Sequence, residues 1–148
     1  MSDAAAMNEL ELTINRRLAA SRERVFKAWL EPRTLAKFMK PTDLEHLDAV
    51  VETDPVKGGR FSILMKMEDK DIPHEGTYLE IDPYSRLQFT WESANSLDDS
   101  VVTIDLVAVD AVTTDLTLHQ VKFKSESLRD GHIMGWTRML DVLPRVLG

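Results

Sequence analysis

The stretch Ser125–Leu147, SESLRDGHIMGWTRMLDVLPRVL, decides the fold. Ile133, Trp136, Leu140, Leu143 and Leu147 recur at steps of three and four, which puts them on one face of a helix. Met139, Val142 and Val146 widen that face beyond a narrow seam. A face so broad needs a broad partner, and most of the remaining chain alternates like strands. The expectation is a long helix lying across a curved sheet. Two residues disturb its regularity: Gly131 allows a late helix start, and Pro144 predicts a kink near the end.

Upstream of this helix the turn signals come at short intervals. Leu10, Leu12 and Ile14 alternate with polar residues in a half-buried strand covering about 9–18. Ser21 then reads as an N-cap for a helix carrying Val25, Phe26, Trp29 and Leu30. Pro32 opens a second short helix with Leu35, Phe38 and Met39 on its apolar face, and Pro41 ends it. A weakly patterned strand covers Leu44 to Thr53, and Asp54, Pro55, Gly58 and Gly59 turn the chain. Phe61, Ile63, Met65 and Met67 alternate next, followed by an acidic loop tip at Glu68, Asp69 and Asp71. Thr77, Leu79 and Ile81 mark the following strand. Leu87, Phe89 and Trp91 mark another, and Asn95 to Asp99 is a polar turn. Val102, Ile104 and Leu106 pair naturally with Thr114, Leu116 and Leu118 across a tight connection at Asp110–Ala111. Strands in sequence, with helices segregated to an early insertion and the end, make an α+β fold.

The chain has 148 residues, with 43% hydrophobic and 29% charged, as expected of one globular domain over 9–148 behind a disordered tail at 1–8. It has no cysteine, which removes disulfides and thiolate chemistry and fits a cytoplasmic protein. The net charge of −7 disfavours nucleic acid as a partner. No signal peptide or membrane-length apolar run is present, so membrane insertion is not expected.

Several pieces resemble, in order, the family named for the C-terminal domain of the activator of heat-shock-protein-ninety ATPase. These are VFKAWLEPRTLAKFMKP, DPVKGGRF, GTYLEIDPYSRLQFTW, the pair VVTIDL and TTDLTLHQ, and GWTRMLDVL. Where the family often has Trp, this chain has Phe38. The resemblance implies the START-like (SRPBCC) helix-grip fold, in which a curved antiparallel sheet wraps around a long C-terminal helix. It also implies two functions: small-molecule binding between sheet and helix, or stimulation of a chaperone ATPase. The namesake has a further N-terminal domain, whereas this sequence is expected to hold a single one. Some helix-grip relatives are enzymes, which leaves a cavity enzyme as a third class.

The space between helix and sheet is either filled or an apolar cavity with a few polar groups. Phe38, Met39, Phe61, Met65, Tyr78, Phe89, Trp91, Trp136 and Met139 are the large side chains available to wall it, and each serves equally well as plain core. The chain's seven methionines add adaptable wall material. His119 and His132 are the polar candidates, His132 standing one helical turn before Trp136. An enzyme would show a buried acid or histidine there, drawn from His119, His132, Glu80 or Asp105. His46, His74, His119 and His132 are scattered without metal-ligand spacing, and the Gly58–Gly59 pair is a backbone turn rather than a phosphate loop. No metal, cofactor or catalytic residue is expected. A homodimer through a sheet edge or the helix flanks is compatible with the pattern.

Overall fold

The structure, a computed structural model, describes residues 10–39, 48–66, 70–93 and 99–147. The expected tail at 1–8, Pro41, His46, Met67, the acidic pair Glu68 and Asp69, and most of the turn from Asn95 lie outside the described residues. The elements run β1 (Glu11–Leu18), α1 (Arg22–Ala28), α2 (Pro32–Phe38), β2 (Val50–Thr53), β3 (Arg60–Lys66), β4 (Asp71–Asp82), β5 (Arg86–Thr90), β6 (Val101–Asp110), β7 (Thr113–Val121) and α3 (Glu126–Leu147).

The seven strands form one antiparallel sheet in the order β1-β7-β6-β5-β4-β3-β2. The order follows from the chain: strands β2 to β7 are a meander, and β1 closes onto β7 after α1 and α2 have crossed one end. The curved sheet holds α3 against its inner face, the α+β helix-grip arrangement that the amphipathic stripe requires. Burial alternates along the strands. Phe61, Ile63 and Met65 of β3, Val102, Ile104 and Leu106 of β6, and Leu116 and Leu118 of β7 all point inward.

Local chemistry sets the helix ends. The Arg24 amide donates to Ser21 Oγ at 3.2 Å, and Pro32 opens α2. Ser125 caps α3, its hydroxyl accepting from the Leu128 amide at 3.1 Å, so the helix starts before Gly131 rather than at it. It also continues through Pro144 to Leu147. So close to the end, the missing amide hydrogen orphans only the Leu140 carbonyl. The stripe turns slightly from its expected setting: Trp136, Met139, Leu140, Leu143 and Leu147 are buried, whereas Ile133 is 36% exposed.

β4 departs most from expectation. It begins at Asp71, whose carboxylate meets Lys66 Nζ at 3.0 Å across the β3 ladder, so this residue is strand and not loop tip. Its inward residues are His74, Gly76 and Tyr78, and Leu79 is 37% exposed. A bulge between Tyr78 and Glu80 then shifts the alternation, putting Ile81 opposite the buried Leu87 and Glu80 opposite Gln88. Gly76 has no room for a side chain, since a Cβ there would run into the Thr90 carbonyl and the Phe61 ring. The weakly patterned strand is real but short, four residues from Val50.

One buried polar relay fixes α3 on the sheet. Trp136 Nε1 donates to Gln120 Oε1 at 2.7 Å, Gln120 Nε2 donates to Ser100 Oγ at 3.1 Å, and Ser100 donates to the Val121 carbonyl at 2.6 Å. Gln120 and Ser100 have no exposed surface, so these bonds satisfy side-chain polar atoms that water does not reach.

Candidate functional site

Two rows of residues four apart run along the first half of α3. One row is small at its start: Ser127, Gly131, Gly135, then Met139. The other is Leu128, His132, Trp136, Leu140. Side chains four apart stack on one helix face, so the first row presents almost nothing to the sheet for two turns. The result is a cavity of about 220 Å³ between this part of α3 and Met65 of β3, Ile72 and His74 of β4, and Trp91 just after β5. Exposed Ser127 and Gly131 lie at its outer side. A Cβ placed on Gly131 would meet nothing within 4 Å.

The neighbouring part of the interior is nearly closed among the described residues. Toward α1 and α2 there remains a void of about 10 Å³ among Trp29, Met39, Phe61, Tyr78, Phe89 and neighbours, at the limit for one water. Aromatic rings fill this end. Phe61 lies 5.3 Å from both Tyr78 and Phe89, and Trp29 lies 5.1 Å from Phe38. Burial pushes the Tyr78 hydroxyl pKa up.

The polar side chains of the cavity wall are two imidazoles, the Ser127 hydroxyl and the indoles of Trp91 and Trp136. His74 is 7% exposed and stacks on Trp91 with centroids 4.7 Å apart. Its Nδ1 is buried with no hydrogen-bond partner among the described residues. Burial lowers its pKa to about 4. The neighbouring His132 adds to the effect, and a hydrogen bond with the Ile72 backbone opposes it. His132 packs on Phe123 at 4.9 Å and holds Nδ1 2.8 Å from the Leu128 carbonyl. Burial lowers its pKa too, against that hydrogen bond. Both rings are therefore neutral at pH 7. No Asp, Glu, Lys or Arg is among the described lining residues.

Of the residues singled out from sequence, Met65, Trp91, His132, Trp136 and Met139 stand in the cavity wall. Met39, Phe61, Tyr78 and Phe89 line the residual void instead, and Phe38 is fully buried beside Trp29. His119 is not in the interior. It pairs with Thr13 and Thr103 on the outer face, with Nε2 3.7 Å from Glu11. Its neighbours Leu118 and Gln120 take the inward parity, which leaves His119 facing out. Asp105 is likewise outside, its carboxylate 2.6 Å from Arg86 Nε. Sequence reasoning passed over His74 and the small row. The signal for His74 was its even spacing with Gly76 and Tyr78. The signal for the small row was Ser127, Gly131 and Gly135 at helical period.

Solved structures share this architecture closely. A protein from Chromobacterium violaceum is 25% identical, with a TM-score of 0.76 over 93% of this chain and 96% of that one. An HSP90 activator from Plasmodium falciparum is 21% identical, with a TM-score of 0.75 over 94% and 96%. CalU16 from Micromonospora echinospora is 22% identical, with a TM-score of 0.69 over 93% and 76%. No curated protein matches the chain. The sequence model of the Activator of Hsp90 ATPase homolog 1-like proteins spans residues 19–148, from the end of β1 through the whole of α3, and the chain belongs to that family.

Proposed function

We propose that this is a cytoplasmic binding protein that holds one small apolar or amphipathic molecule between the sheet and the first half of α3. A single observation carries the reading. Beside a region toward α1 and α2 packed to a void of about 10 Å³, a cavity of about 220 Å³ with a mostly apolar wall is kept open by a serine and two glycines. Cavities of about 150 Å³ lined by apolar side chains take up benzene, so the space suits a substituted ring or a short chain. It is below the usual ~300 Å³ of drug-sized sites.

Trp91 and Trp136 stand in the wall and report occupancy. Titration with toluene is expected to change their fluorescence saturably, and Gly131→Leu, which puts a side chain into the open space, is expected to abolish the change while the protein stays folded. Unaltered, non-saturable fluorescence in the wild type would sink the reading.

A second reading, stimulation of a chaperone ATPase, is supported by the family's description and by the Plasmodium falciparum relative. It does not need the cavity. An ATPase assay with the cognate chaperone separates the two, since stimulation that survives Gly131→Leu belongs to a surface and not to the site described above.

A further inference from the structure

We propose that the cavity selects an uncharged aromatic ring bearing one hydroxyl group, a ligand of the phenol class, whose hydroxyl hydrogen is donated to Nε2 of His132. This rests on the binding-protein reading and names its ligand.

The tautomer comes first. A carbonyl oxygen only accepts, so the 2.8 Å contact between His132 Nδ1 and the Leu128 carbonyl requires the hydrogen on Nδ1. Nε2 of the neutral ring then carries a lone pair and acts as an acceptor. A lone pair in a largely apolar wall can accept from a ligand donor, and a ring hydroxyl is a donor on an otherwise apolar body. His74 adds a second polar ring from the sheet side. It is buried, aligned on Trp91, and leaves Nδ1 without a partner.

Charge narrows the class. Among the described lining residues no lysine or arginine meets an anion and no carboxylate meets a cation, so an ionised ligand would lose its hydration without replacement. The Trp136 N–H is committed to Gln120 and is not available to a ligand acceptor. Shape agrees: indole and imidazole faces in the wall favour a flat ring, and about 220 Å³ exceeds what benzene needs.

The test uses p-cresol, toluene and p-toluate, three rings of similar size that differ in the group opposite the methyl. Binding to the full chain is followed by tryptophan fluorescence and confirmed by calorimetry at neutral pH. The expected result is p-cresol about tenfold tighter than toluene, the ratio of one net hydrogen bond, with p-toluate weakest. His132→Phe keeps the ring and removes the acceptor. In that variant p-cresol should fall to the level of toluene, whose own affinity is unchanged. Equal binding of p-cresol and toluene to the wild type overturns the hydroxyl selection and leaves the binding reading standing. Tightest binding by p-toluate overturns it as well, and saturable binding by none of the three overturns both. The wild-type comparison decides the matter even where the variant fails to fold.

Discussion

The two ends of the space under the sheet are built from the same kinds of strand and differ in what faces them. Toward α1 and α2, Phe61, Tyr78 and Phe89 meet Trp29, Leu35 and Met39, and about 10 Å³ remains. Toward the start of α3, Met65, His74 and Trp91 meet Ser127, Gly131 and Gly135, and about 220 Å³ remains. The difference lies in the helix residues and not in the sheet. A strand face of large side chains leaves a cavity only where its partner withholds side chains, so the small residues of α3 decide where the protein is solid and where it is hollow.

Truncation should separate the two ends most sharply. Phe61→Ala removes a ring packed on three aromatic neighbours and is expected to cost about 3–5 kcal/mol of unfolding free energy in urea. Met65→Ala borders space that is already empty, and should cost only about 2 kcal/mol, the low end for such changes. Equal costs would mean that the two ends are packed alike.

The histidines supply the next contrast. The folded pKa of His74 is about 4, against an ordinary 6.5, so between those values the unfolded chain binds a proton that the folded protein refuses. Its contribution is therefore complete above pH 6.5 and lost as pH falls toward 4, by up to about 3 kcal/mol. Subtracting the stability profile of His74→Phe from that of the wild type isolates this group from the carboxylates. A flat difference between pH 6.5 and 4 would show that the ring is not held in the dry wall.

The smallest effect has the opposite sign. Gly131→Ala adds a methyl group into open space inside a helix and should raise stability by about 1 kcal/mol in thermal or urea unfolding. Small-to-large changes at the filled end should instead destabilise. Gly76→Ala is the extreme, because its Cβ meets backbone that cannot give way.

The fold was legible because it rests on periodicity. The stripe around Trp136 and the alternation in β3, β6 and β7 each repeat an apolar signal several times. The site was legible only in part, because a cavity is defined by what is missing. Large residues such as Phe61 and Phe89 look the same in a sequence whether they face a void or another ring. Gly131 read as a helix end because glycine is costly in a helix, when its missing side chain is what opens the space. His74 was hidden by the bulge in β4, which makes Leu79 and Ile81 look like the inward set and obscures the parity of the residues before it. His119 was misplaced for a related reason. Alternation assigns two faces to a strand but does not say which of them is inside.

The bond from Trp136 to Gln120 bears on why the hollow persists. A greasy helix face tolerates small slides, and a helix beside empty space gains contacts by slipping into it. Slipping here would strip the indole N–H and the Gln120 oxygen of each other where water does not reach, at about 1–3 kcal/mol per stranded group. Ser100 would lose its setting in turn. The bond therefore works as a detent, holding the helix at one angular position against the pull of its own dispersion forces. Emptiness in this protein is a mechanically maintained state, and the part that maintains it lies outside the cavity wall, on β7.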